Sequence, residues 1–268
     1  MNQNQKKMKL KCVVSLEDFF KAFNNSEEDS CCKISMCDLL AEKFDSKREP
    51  FGFSVLRDVI RNYEKNLSLK PSPSKSTMPF FRENQLRLIG PDVIPFSFSF
   101  YEEESAFQPQ ETSLILTFDL DDLIDFCLNE NYSLIRCKYN KEEILDSFSN
   151  EMEREYDKVF FDEENTGFRS DSHFTSLLYK ALFECRPECE KNLKEWRIST
   201  LVDSSEADYV YEDNRIKVMR TIDLPVSYIK QIKLFPDYTK NQDIYTSLIG
   251  FLRKKGLVPE SLLVGLIE

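Results

Sequence analysis

Apolar and polar positions along this chain switch between a period of two and a period near 3.6, and each switch marks a predicted element. Residues 8–14 alternate lysine with apolar side chains and predict a short strand. Ser15 then caps a helix running to Phe23, with Glu17 and Asp18 near its positive end. Ser35 followed by Asp38 resembles a capping box and predicts a second helix carrying Leu39, Leu40 and Phe44. After Pro50, the residues Phe53, Leu56, Val59, Ile60 and Tyr63 recur at three- and four-residue steps, one face of an amphipathic helix. Residues 71–79 hold Pro71, Pro73 and Pro79 among serines and read as a linker. The expected division is a helical N-terminal region over 1–70, the linker, and an α+β domain over 80–268.

Beyond the linker the pattern favours strands. Leu86–Ile89 and Val93–Tyr101 are two of them; in the second, Phe96, Phe98 and Phe100 alternate with Ser97 and Ser99, so phenylalanines face one side and serines the other. Ser113–Phe118 is a more continuously apolar strand, followed by a helix that opens on Asp119, Asp121 and Asp122. Tyr132–Tyr139 reads as a strand, Lys141–Phe161 as a long charged helix and Phe174–Phe183 as another helix. Glu195–Val202, Tyr209–Tyr211 and Arg215–Ile222 follow as strands, with Glu212-Asp213-Asn214 as a hairpin turn. Ile229–Leu234 alternates as a strand, Asn241–Lys255 is a helix closed by Gly256, and Leu262–Ile267 is a last apolar strand. Strands that occur both as hairpins and between helices predict an α+β fold. Its sheet is mixed and mainly antiparallel, with flanking helices and the helical N-terminal region.

Composition narrows the function. Only 6 glycines occur, and neither a dinucleotide fingerprint nor a phosphate loop is present. The net charge of −11 disfavours nucleic acid as a partner. No run approaches the roughly 20 apolar residues that span a bilayer. Only Cys12, Val13 and Val14 stand where a secretion signal needs a longer apolar stretch, so a cytoplasmic location without membrane contact is expected. The 8 cysteines include no C-x-x-C pair and read as thiols. Cys185 and Cys189, with His173 upstream, lack a fourth zinc ligand, so no metal site is expected there.

Candidate chemistry centres on Glu195-Trp196-Arg197, which holds the single tryptophan. Alternation puts Glu195 and Arg197 on the face opposite Trp196, where they would line the open side of the domain. As a site, Glu195 is the candidate catalytic carboxylate, with Arg197, Ser97 and Ser99 as ligand-binding residues. That set suits NAD-dependent ADP-ribosyl transfer, in which a carboxylate stabilises developing positive charge and an arginine holds a phosphate. As structure, the same residues are a cross-strand ion pair over a buried indole, with Trp196 the anchor. Asp119, Asp121, Asp122 and Asp125 could bind a divalent cation, but acids in the first turn of a helix already satisfy its free amides. No serine triad is expected, because the one histidine, His173, reads as a capping or surface residue.

The series Phe96-Ser97-Phe98-Ser99-Phe100, then Leu116-Thr117-Phe118-Asp119, then Arg136-Cys137-Lys138-Tyr139 is similar in order and spacing to a bacterial family, domain of unknown function 2971. Lys180, Glu195-Trp196-Arg197-Ile198, Leu224-Pro225, Ile229, Ile232, Pro236 and the helix ending at Gly256 continue the resemblance, which covers residues 93–268. Three departures stand out. The family's opening motifs are not found before residue 80, Ser105-Ala106-Phe107-Gln108 lacks its Trp and Tyr, and Leu193 replaces the first acid of its Glu-x-Glu-Trp-Arg motif. The resemblance implies bacterial cytosolic residence and links to defence or mobile elements. The expected function is a non-enzymatic or catalytically degenerate interaction module that meets a protein partner or a small nucleotide and needs no cofactor. The alternatives are NAD- or nucleotide-dependent ADP-ribosyl transfer through Glu195, and a metal-dependent nuclease built on Asp119 and its neighbours.

Overall fold

A computed structural model describes residues 7–24, 31–39, 51–68, 93–107, 109, 112–140, 142–151, 173–212, 214–235, 242–255 and 263–264. The expected linker at 71–79, the strand at Leu86–Ile89, the loop at 162–172 and the part of the second helix that would carry Leu40 and Phe44 lie outside the described residues. The fold is α+β. Its strands are β1 (Lys9–Ser15), β2 (Cys31–Asp38), β3 (Val93–Glu102), β4 (Ser113–Asp119), β5 (Ser133–Arg136), β6 (Glu195–Asp203), β7 (Asp208–Glu212), β8 (Arg215–Pro225), β9 (Ile229–Phe235) and β10 (Leu263–Val264). The helices are α1 (Leu16–Asn24), α2 (Phe51–Ser68), α3 (Leu120–Asn129), α4 (described over 142–151), α5 (His173–Glu184) and α6 (Gln242–Lys254). Among the described residues, no helix is long and apolar enough to cross a membrane.

The ten strands form one sheet in which β3 is the branch point. One edge of β3 pairs with β6 along its whole length, from Val93↔Asp203 to Tyr101↔Glu195. The other edge is shared. β1 pairs with it at Tyr101 and Glu102, and β2 at Phe96 and Ser97. The sheet therefore forks at Phe98–Phe100 into β1-β4-β9-β10 on one arm and β2-β8-β7 on the other, while β5 extends the opposite side through β6. Among the described strands every pairing is antiparallel except β9 with β10.

Period-two alternation gives the sheet two unlike faces. Leu10, Cys12, Phe96, Phe100, Leu116, Phe118, Ile198, Ile222 and Ile232 share the apolar face and the main core. Helices α1, α3 and α6 cover it with Phe19, Phe23, Leu123, Phe126, Leu248 and Leu252. Phe251 of α6 meets Phe20 edge to face, the ring centroids 4.7 Å apart, and touches Phe19 and Phe23 as well. The opposite face of β3 and β6 carries Ser97, Ser99, Tyr101, Glu195, Arg197 and Ser199. Helix α5 lies across it, with Tyr179 Oη donating to the Val93 carbonyl at 3.1 Å. Lys180 on the same helix meets Glu151 of α4 at 3.3 Å.

Two expectations change. Residues 31–38 are a strand and not the start of a helix: Cys32, Ile34 and Met36 alternate inward, and pairing of Ile34 with Ile222 of β8 outweighs the local Ser35–Asp38 capping signal. The N-terminal residues also supply β1 and β2 to the interior of the same sheet as β3–β9.

Helices α2 and α5 touch at a glycine. A Cβ on Gly52 would collide with the backbone of Ala181, whereas one on Gly250 in α6 would meet nothing. Gly52→Ala is predicted to destabilise by about 1–3 kcal/mol through overpacking. Gly250→Ala, in a helix interior, is predicted to stabilise by roughly 0.5–1 kcal/mol. Urea denaturation of the two variants checks this; effects of the same sign would contradict the α2–α5 contact.

Candidate functional site

The β3–β6 register sets the site. Ser99 stands directly opposite Arg197, Tyr101 opposite Glu195 and Ser97 opposite Ser199. Ser99 Oγ donates to Glu195 Oε1 at 2.6 Å, and Arg197 Nε donates to the same oxygen at 2.8 Å. Glu195 and Arg197 are thus an ion pair within one strand, not across two.

A third charge comes from outside the strands. After α5 the chain bridges to Lys138: Lys138 N–H donates to the Glu184 carbonyl at 2.7 Å and Arg186 N–H to the Lys138 carbonyl at 3.0 Å. Pro187 (φ −59°) then opens a 3-10 turn over Glu188–Leu193, and Lys194, at φ 47°, turns the chain into β6. This short excursion brings Arg186 back over Glu195. Arg186 Nε donates to Oε2 at 2.8 Å and Nη2 to Oε1 at 3.1 Å, a two-pronged clamp on the carboxylate. The Glu195 backbone N–H donates to Tyr139 Oη at 2.7 Å. The excursion is tied to the end of β3 by Glu102 N–H to the Lys194 carbonyl (3.2 Å) and Ala106 N–H to the Asn192 carbonyl (3.0 Å).

Burial decides what this arrangement can do. Glu195 and Arg197 are each 1% exposed, beneath α5, whose Leu182 carbonyl accepts from Arg197 Nη1 at 3.1 Å. The acid and base therefore do not line an open side. Four donors occupy the two oxygens of Glu195, so a substrate could reach the carboxylate only after the clamp opened. Arg197 Nη2 is buried and has no acceptor among the described residues. The surroundings respond to the buried charge. Burial, followed by the nearby Glu195 carboxylate, pushes the Tyr101 phenol well above its ordinary value. Burial also pushes Tyr139 up to about 12, against the opposing backbone hydrogen bond from Glu195. Burial works to lower Arg186, but the Glu195 charge and hydrogen bonds outweigh it and the net shift is upward. Tyr101 is itself lidded by Phe107, stacked at 4.0 Å between centroids.

The other sequence candidates lie elsewhere. Trp196 is on the apolar face, its Nε1 donating to Glu102 Oε1 at 3.3 Å, with the Arg136 guanidinium 5.8 Å from the ring centroid. Ser97 is buried beside Ser199. Asp121 and Asp122, in the first turn of α3, pair with Lys7 (3.4 Å) and Lys230 (2.7 Å). Among the described residues no three metal-ligating side chains gather. His173 is the first residue of α5, Cys185 is buried and Cys189 exposed. Arg186 and Tyr101 carry no site pattern in the sequence; the cue to Arg186 is the adjacent Pro187, which signals a turn.

Removing single partners should rank by charge. Ser99→Ala deletes one hydroxyl bond to an ion and is predicted to cost about 1.5–3 kcal/mol. Glu195→Gln leaves two guanidiniums without their anion, one of them fully buried, and is predicted to cost about 3–5 kcal/mol. Urea denaturation measures both; a Glu195→Gln variant as stable as the parent would contradict the clamp.

Comparison of the chain with protein-family models, with curated proteins and with solved structures finds no match.

Proposed function

We propose that the chain is a protein-binding module in which the Glu195 cluster is a structural clasp and not a catalytic centre. One observation carries this reading: both carboxylate oxygens of Glu195 are held by Ser99, Arg186 and Arg197 while its side chain is 2% exposed. A carboxylate that stabilises a sugar cation has to approach the anomeric carbon, and here that approach requires breaking two ion pairs under a helix. The clasp instead fastens the 184–194 excursion and α5 to the sheet. A tie to bacterial defence or mobile elements, implied by the resemblance of residues 93–268, belongs to the same proposal.

NAD-dependent ADP-ribosyl transfer is the second reading, and one observation favours it. Ser99, Glu195 and Arg197 do meet within hydrogen-bond distance, and Arg197 keeps one donor without an acceptor among the described residues. Thermal unfolding with NAD, ADP-ribose and Mg²⁺ separates the two. The module reading predicts no shift with any of the three, while Glu195→Gln lowers the melting temperature by about 10 °C without ligand. A saturable rise with NAD or ADP-ribose that Glu195→Gln abolishes would overturn the clasp in favour of the enzyme.

A further inference from the structure

The module reading requires a surface, and the β7–β8 ribbon supplies one at the far end of the sheet. Tyr209, Tyr211 and Ile216 are 56%, 70% and 72% exposed and share one face of this ribbon, since Tyr211 pairs with Ile216 and Tyr209 with Val218. That face continues the core. Along β8 the same side runs from buried Leu224 and Ile222, past half-buried Arg220 and Val218, to exposed Ile216. The apolar face thus outruns the helices that cover it. Both phenols already have nearby acceptors: Tyr209 Oη donates to the carbonyl of Ser204, just before the ribbon, at 2.8 Å and Tyr211 Oη to Asn214 Oδ1 at 3.3 Å. The rings therefore present apolar area that asks for apolar side chains.

The backbone adds direction. Glu212 pairs with Arg215 across the turn, where Asn214 sits at φ 60°. In such a hairpin the flanking pair is hydrogen-bonded and the pattern alternates. Asp208, Val210 and Glu212 then bond to β8, and Tyr209 and Tyr211 turn their N–H and C=O groups to the outer edge. Among the described residues β7 ends the strand order on its arm, so this edge is where a further strand can be added.

Charge selects the occupant. The outermost strand carries acids at both ends, Asp208 and Glu212, while the bases Arg215 and Lys217 stand one strand further in. Antiparallel pairing with a second copy about Val210 would set Asp208 opposite Glu212, like against like, between chains of net charge −11. A basic strand meets neither obstacle. We propose that β7 is the docking edge for an extended segment of a partner protein. The segment adds as an antiparallel strand with apolar residues on the tyrosine face and lysine or arginine opposite Asp208 and Glu212. This inference rests on the module reading and names its surface.

The probe is a blocked peptide centred on Lys-Ile-Thr-Ile-Lys, titrated into the isotope-labelled full chain and followed by amide and side-chain NMR. Saturable shifts concentrated at Tyr209, Tyr211 and Ile216 are expected. A peptide with glutamates in place of the lysines should bind at least about tenfold more weakly. Methylating the backbone nitrogens of both isoleucines, which keeps the side chains and removes the edge bonds, should abolish binding. Absence of saturable shifts, equal binding of the acidic peptide, or undiminished binding of the methylated one would each overturn the proposal. So would concentration-dependent shifts at the same residues without peptide, which would assign the edge to a second copy. A response to NAD leaves these outcomes untouched and bears only on the module reading.

Discussion

A carboxylate enclosed by two guanidiniums at the β3–β6 seam is the constraint on which the second layer of this protein depends. Taking an acid and a base out of water costs several kcal/mol per ion, and only good geometry with further hydrogen bonds offsets it. Here the geometry is supplied from three places: Ser99 across the ladder, Arg197 two residues along the strand, and Arg186 from the excursion after α5. Each reaches Glu195 only if its own segment is in place. The cluster therefore reports on, and helps to enforce, the register of β3 against β6, the seating of α5 and the path of residues 184–194.

The two faces of the sheet are built on different physics. On one, the phenylalanines of β3 and their neighbours bury apolar area against α1, α3 and α6, a tolerant kind of packing that accepts volume-conserving change. On the other, serines, a glutamate and an arginine make directional contacts that tolerate little. Where the apolar face runs on along β7 and β8, the described residues leave exposed aromatic surface and a terminal strand edge together. Polar fastening thus sits at the branch point of the sheet and apolar exposure at the end of one of its arms.

Much of this was legible in the sequence, for a reason that particular residues make plain. The alternation Phe96-Ser97-Phe98-Ser99-Phe100 and the sequence Glu195-Trp196-Arg197 carry period two directly, so their two faces could be assigned before any pairing was known. Helices α1, α5 and α6 follow from caps and 3.6-residue spacing. What could not be read was whatever depends on distant partners. Residues 31–38 hold a credible local helix start at Ser35, yet β8 lies beside them and pairing wins. Arg186 belongs to no periodic pattern; a proline, a 3-10 turn and one left-handed residue deliver it to Glu195. The burial of Glu195 depends on α5 crossing the sheet, which no spacing within β6 encodes.

The clasp is tested most directly by a double-mutant cycle in unfolding free energy between Glu195→Gln and Arg197→Met. The account predicts strong coupling, with the double variant deviating from the sum of the single losses by about 1–3 kcal/mol. Additivity within about 0.5 kcal/mol would contradict it, because two groups that share a buried ion pair cannot contribute independently.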